Sequence, residues 1–226
     1  MSAQSRSEVY RDREPRQAPG LTFFEHWLSL VTPNGPDITF AATHPSSLDK
    51  MAAFRRQHPE ARRSEPLVIV DLGSHDINGS YRPLFAEPAW NYKGVDLATG
   101  ENVDLVLKNP YDWREIATAS IDVVISGQAF EHIEFFWETV REIARVLKPA
   151  GLCCIIAPSS GPEHRFPIDC WRFYPDGLRA MARYAGLEVL EASTQWQELE
   201  QYDSESNKWH DSVLVARKTN SEREGS

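Results

Sequence analysis

Three groups of residues in this chain have types and spacings suited to chemistry. The first lies in Leu67-Val68-Ile69-Val70-Asp71-Leu72-Gly73-Ser74-His75-Asp76-Ile77-Asn78-Gly79-Ser80, where an apolar run meets an acid and then two glycines. Gly73 has no Cβ and lets backbone amides come close to a ligand. Asp71 stands at the strand's carboxyl end, pointing towards the crevice where open α/β sheets bind nucleotides; capping its own loop is the plainer role. The second group is Asp96, which closes Tyr92-Lys93-Gly94-Val95. A carboxylate there can accept hydrogen bonds from both hydroxyls of a ribose, or simply be solvated. The third is His164-Arg165-Phe166-Pro167-Ile168-Asp169-Cys170-Trp171-Arg172. His164 titrates near neutral pH and suits a general base, and Asp169 can orient it or act as the base itself. His132 is the second candidate base, and a histidine opening a helix also reads as a cap.

Such groups need a frame. Leu67–Val70 is mostly β-branched and continuous in hydrophobicity, as a strand buried on both faces must be. Further strands are predicted at 92–96, 103–107, 121–126, 152–157, 187–192 and 212–216. A short helix is expected at 80–85, a long one at 135–147 with apolar residues three and four apart, and another at 175–184 with Pro175 in its first turn and Gly186 after its end. Alternating strands and helices predict a parallel sheet covered on both faces. Ahead of this core, residues 20–64 read as a helical extension: an aromatic helix over 21–31, a turn at 32–36, and a helix to about His58 capped by Ser46 or Ser47. The extension serves equally as a lid or a packing brace. Residues 1–19 and 219–226 are polar and expected to be disordered, which leaves 65–218 as the core domain.

The bulk properties narrow the class. A chain of 226 residues, 41% apolar and 25% charged, has the balance of a soluble globular protein. No apolar run reaches the roughly 20 residues that cross a bilayer, and residues 1–6 carry no hydrophobic signal core, so a cytoplasmic location is expected. Acidic residues outnumber basic ones by 33 to 24, for a formal charge of −9, which argues against a nucleic acid partner. Three cysteines make no disulfide framework, and Cys153 and Cys154 read as small buried hydrophobes.

Taken together, the motifs resemble those of class I S-adenosylmethionine-dependent methyltransferases of the small-molecule, type 11-like branch. Asp71-Leu72-Gly73 with Gly79 resembles the family's acidic–glycine loop, without its central glycine. Gly94-Val95-Asp96 resembles the acid ending strand two. Arg145-Val146-Leu147-Lys148-Pro149-Ala150-Gly151 is similar to the family's helix-to-strand-five signature, with Ala150 where a second glycine is usual. Glu131-His132 after strand four, and the His164 to Arg172 run, resemble segments of the same branch. The resemblance implies a Rossmann-like, doubly wound sheet of seven strands in the order 3-2-1-4-5-7-6, mostly parallel with the last strand antiparallel. It implies S-adenosylmethionine as methyl donor and S-adenosylhomocysteine as product.

By this resemblance the cofactor-binding positions are Asp71 near the methionine ammonium, Gly73, Ser74, Asn78 and Gly79 in the loop, and Asp96 and Leu97 at the ribose. Tyr111, Asp112 or Trp113 would flank the adenine, and Gly127 and Gln128 would face the methyl side. Trp113 reads equally well as core, and Gln128 as a loop amide. Arg165, Trp171, Arg172 and Tyr174 are candidate substrate contacts, although Arg165 and Arg172 also suit pairing with Asp169 and Asp176. Glu163, His164, Asp169 and Asp211 carry ligand atoms for Mg²⁺, but nothing in the spacing demands a metal.

The function expected is methyl transfer to a small molecule, with a hydroxyl of a sugar, glycan or secondary metabolite as acceptor. An N-methyltransferase and a catalytically silent binding subunit are the alternatives. A nicotinamide dehydrogenase is disfavoured by the missing three-glycine fingerprint and by the Lys148–Gly151 turn. Beyond the acceptor, a second copy of the chain is the one protein partner considered, as a homodimer.

Overall fold

The structure is a computed structural model that describes residues 44–76 and 79–220. The expected helix over 21–31, the tail over 1–19, Asn78 and residues 221–226 lie outside the described residues. Strands β1 (Val68–Leu72), β2 (Asn91–Asp96), β3 (Leu105–Val106), β4 (Ile121–Gly127), β5 (Leu147–Ala157), β6 (Leu187–Thr194) and β7 (Ser212–Lys218) form one sheet. Its order is β3-β2-β1-β4-β5-β7-β6, parallel except for β7, which runs antiparallel to both β5 and β6. This is the Rossmann-like arrangement that the motifs imply.

The alternation of side chains along each strand builds two cores. Val70, Leu72, Val95, Val124 and Cys153 face one layer, which holds α2 (Phe136–Val146) and α3 (Pro175–Tyr184). Ile69, Val123, Ile125 and Cys154 face the other, with Met51 and Phe54 of α1 (Pro45–Gln57). Helix α2 buries Val140, Ile143 and Val146 at three-residue steps, as an amphipathic helix on a sheet must. In the segment after β3, Trp113 is fully buried in the first core and its indole N–H donates to Pro110 O at 2.9 Å. It is therefore a core residue, and the expectation that it flanks a cofactor ring is corrected.

Helix α1 also departs from the expectation. Its N-cap is His44, and Pro45, which has no N–H to leave unsatisfied, stands in the first turn. Ser46 and Ser47 lie inside the helix, buried, and turn their hydroxyls to other elements instead of capping it. A short helix, α4 (Ser204–Asn207), precedes β7, and its N-cap Asp203 accepts the backbone N–H of Ser206. Residues 82–85 form a 3-10 turn in place of a helix.

The Lys148–Gly151 segment is not a free turn ahead of strand five. β5 pairs with β4 from Leu147, opposite Ile121, and the register resumes at Leu152 opposite Val123, so residues 148–151 bulge against Asp122 alone. Lys148 closes the bulge by donating to Asp122 Oδ2 at 2.7 Å. Ala150 sits at φ 62°, in the left-handed region where a Cβ is unfavourable by about 1–2 kcal/mol. Ala150→Gly removes that strain but loosens the unfolded chain, so a net gain of about 1 kcal/mol is expected. Urea unfolding should show a higher midpoint at unchanged slope, and an unchanged or lower midpoint would contradict the strain.

Candidate active site

The carboxyl edge of the sheet collects the acids. Asp71 pairs with Gly94 of β2 and with Ile125 of β4, so Asp71, Asp96 and Gly127 end three adjacent strands on the same side. Asp96 is held from both sides: its Oδ2 accepts the His75 N–H at 3.1 Å and its Oδ1 accepts the Leu97 N–H at 2.6 Å. Two backbone donors fix the carboxylate's orientation while its remaining lone pairs stay free for a ligand. Leu97 itself packs against the first core.

Asp71 does not open onto a crevice. It is buried beneath the loop and accepts the Tyr92 hydroxyl. Burial pushes its pKa up to about 7; the Tyr92 hydrogen bond opposes this rise, and the neighbouring Asp96 charge adds to it. Gly73 is at φ 76°, and a Cβ there would collide with the Ala129 methyl group. The glycine thus lets the loops after β1 and β4 touch. The Gly73 and Ser74 amides both donate to Val95 O, at 2.9 and 3.2 Å, so the expectation that they meet a ligand is corrected. The Ser74 hydroxyl likewise turns to Asn102 O at 3.3 Å. Gly79 donates its N–H to Asp76 Oδ1 at 2.6 Å.

Along the next strand ends, a Cβ on Gly127 would strike the Tyr81 phenol, so the glycine makes room for that ring. Gln128 is at φ 57° and extends its amide to Asp211 Oδ1 at 3.0 Å and to Ser47 Oγ at 3.5 Å. Ser46 donates to Asp211 Oδ2 at 2.6 Å, His44 Nδ1 lies 3.0 Å from Ser46 Oγ, and Ser47 pairs with Tyr81 at 2.6 Å. This buried network joins the start of α1 to the end of β4. Neither His44 nor Tyr81 carries a sequence signal that distinguishes it. In the segment after β3, the Tyr111 ring lies 5.3 Å from Phe135, and its hydroxyl accepts the Phe135 N–H at 3.3 Å. Asp112 pairs with Arg114 on the surface.

The loops after β4 and β5 bring together Glu131, His132, His164, Asp169 and Arg172. His132 Nδ1 lies 2.5 Å from Ile168 O, and its Nε2 is 3.8 Å from Glu131 Oε1. His164 Nε2 is 3.9 Å from the same oxygen, and its Nδ1 is 3.4 Å from Asp169 Oδ2. Arg172 forks onto both oxygens of Asp169, at 2.6 and 2.8 Å, and donates to Pro162 O and Trp171 O. All these partners belong to the loop, so Arg172 braces it and the substrate-anchor expectation is corrected. Arg165 pairs with Glu163 at the surface. The Trp171 indole N–H bonds Ile133 O and Glu134 O, and Tyr174 stacks on Trp196, both exposed. The Mg²⁺ set does not assemble, because Glu163 is at the surface and Asp211 belongs to the other network.

Burial raises Glu131 to about 8 and lowers His132 to about 4; it also lowers His164, against the pull of Asp169. Both imidazoles are therefore neutral near pH 7, with lone pairs to offer. Glu131, wholly buried, carried no assigned role in the sequence reading; its adjacency to His132 was the available signal.

Residues 71–155 match the family model described as a methyltransferase domain. The matched stretch, 85 of the 226 residues, is similar to a methyltransferase domain. Among solved structures of this fold, the 1,6-didemethyltoxoflavin-N1-methyltransferase of Burkholderia thailandensis, with S-adenosylhomocysteine bound, is 18% identical with a TM-score of 0.56. The match covers 94% of this chain and 99% of that one. Phosphoethanolamine N-methyltransferase 2 of Haemonchus contortus, in complex with S-adenosyl-L-methionine, is 15% identical with a TM-score of 0.56, over 76% of this chain and 52% of that one. The [4+2]-cyclase SpnF shares the fold at 14% identity and a TM-score of 0.58, over 81% of this chain and 85% of that one. At such identities the likeness is one of fold, and SpnF shows that the fold hosts other chemistry. No curated protein matches the sequence significantly.

Asp71 yields a pH test. Folded, this carboxyl keeps its proton to about pH 7, whereas in the unfolded chain it loses it near the ordinary 3.8. Between those values folding takes up a proton, so Asp71 makes the ligand-free protein less stable as pH rises. Asp71→Asn should raise the melting temperature by several degrees at pH 8 and by little at pH 4. An equal change at both values would contradict the buried, protonated carboxyl.

Proposed function

We propose that the protein transfers the methyl group of S-adenosylmethionine to a hydroxyl of a small molecule, a sugar, glycan or secondary metabolite. The observation that supports this most is the line of groups along one sheet edge: Asp96, Asp71, Gln128 and then the His164 loop, on β2, β1, β4 and β5 in spatial order. The residues fit the cofactor. Asp96 is oriented to accept both ribose hydroxyls, and Asp71 is a buried carboxyl that a nearby ammonium group would ionise. Tyr111 stands where an adenine ring would lie, and Gly127 and Gln128 where the sulfur would.

Bound S-adenosylmethionine supplies an electrophilic methyl group on a sulfonium. The chain's residues align the acceptor oxygen behind that carbon, and alignment is where much of the acceleration is available. The acceptor's proton would pass to neutral His164 at Nε2 as its oxygen takes up the methyl group that the cofactor would supply. Asp169 stabilises the imidazolium, and Arg172 holds Asp169 in place. His132 and Glu131 enclose the imidazole. Trp171 and Tyr174 offer apolar walls, and Arg165 stands at the rim. An amine acceptor is the second reading, favoured by the N-methyltransferases that share the fold.

Calorimetry with S-adenosylhomocysteine tests the cofactor. The wild type should bind, and Asp96→Ala should weaken binding about 10- to 100-fold, the worth of one to two hydrogen bonds to a charged group. His164→Ala should bind equally well yet lose methyl transfer by about 10²–10⁴-fold against an acceptor panel read by mass spectrometry. Absence of binding at millimolar ligand would overturn the reading.

A further inference from the structure

We propose that Glu131, His132 and His164 form a binding site for one divalent transition-metal ion of the Zn²⁺ type. Both Nε2 atoms converge on Glu131 Oε1, at 3.8 and 3.9 Å, and the three ligand atoms all lie within 4.8 Å of one another. An ion with ligands at about 2.1 Å in tetrahedral array places them about 3.4 Å apart, so a closure of the two loops by at most about 1.4 Å completes the site.

Two independent features point to a ligand. The Glu131 side chain is wholly buried, and neither carboxylate oxygen receives a hydrogen bond from another residue. A buried carboxylate left in that condition is costly, and a cation between it and the imidazoles removes the cost. The histidines are also backed as metal ligands are: His132 Nδ1 faces the Ile168 carbonyl and His164 Nδ1 faces Asp169. The Ile168 carbonyl fixes the His132 tautomer that leaves Nε2 free for an ion, and Asp169 lies 3.4 Å from His164 Nδ1, close enough to do the same once the site closes.

Two imidazoles and one carboxylate select a Zn²⁺-like ion over Mg²⁺, which prefers oxygen ligands throughout. Three protein ligands leave a fourth position open, as in catalytic zinc sites. This deepens the reading above and rests on it for the site's purpose. With the ion in place His164 Nε2 would be a ligand in place of the base assigned above, and the acceptor's O–H proton would pass to water.

The test uses the full-length, tag-free chain, stripped with a chelator and dialysed. Calorimetry with Zn²⁺ should show one ion per chain, and Co²⁺ should give the intense visible bands of a four- or five-coordinate site. Glu131→Gln, His132→Gln and His164→Gln should each weaken Zn²⁺ by more than about 100-fold, and Asp169→Asn by about 10-fold, while His58→Gln binds as the wild type does. Undiminished S-adenosylhomocysteine binding in each variant shows that it is folded; should one fail to fold, the Co²⁺ spectrum of the wild type decides. Wild-type affinity no better than that of His132→Gln, or the weak spectrum of hydrated Co²⁺, would overturn the site. If the stripped protein is fully active and His164→Ala is not, the metal falls and His164 stands as the base. If the wild type binds no S-adenosylhomocysteine, the methyl-transfer reading falls whatever the metal does.

Discussion

The site depends on the parallel register of β1, β2 and β4, which brings Asp71 and Asp96 to one edge of the sheet. Nothing local in either residue forces this; it follows from right-handed crossovers that return every strand in the same direction. The consequence is electrostatic. Asp71 is driven under the loop by its place in a buried strand, and the second acid beside it makes ionisation harder still. The fold thus tolerates a protonated carboxyl at its centre, which the cationic ligand proposed above would relieve.

Around that edge the molecule divides its polar groups into two sets with different tasks. Gln128, Asp211, Ser46, Ser47, Tyr81 and His44 bond one another, His44 Nε2 alone being left without a partner among the described residues, and they hold α1 against the end of β4. A network so closed behaves as structure. Glu131, His132 and His164 converge without closing, and Asp169 and Arg172 fix the loop that carries one of them. The contrast between a largely bonded cluster and an open one is what supports the chemistry proposed for the second.

Much of the frame was legible because periodicity and β-branched runs are local signals. Strand positions, the amphipathic α2 and the Pro175 start of α3 follow from residues within a turn or two, and the match to a methyltransferase domain accords with the motifs. What was not legible lies in contacts between distant residues. Ser46 as cap and Ser46 as partner of Asp211 differ only through a residue 165 positions away. Trp113 beside an acid reads as ring-flanking or as core with equal force until α2 is seen to cover it. Arg172 likewise reads as a substrate contact or as a local partner of Asp169, three residues away, and the structure shows the local pair. Gly73 was read for its approach to a ligand, whereas its bare Cα accommodates Ala129.

The most direct test is a crystal structure of the chain with S-adenosylhomocysteine. The account predicts both ribose hydroxyls within hydrogen-bond distance of Asp96, the amino group directed to Asp71, and the sulfur facing the side on which Gln128 and the His164 loop stand. A ligand lodged elsewhere, or the space between Asp71 and Asp96 filled by side chains in the complex, would contradict it.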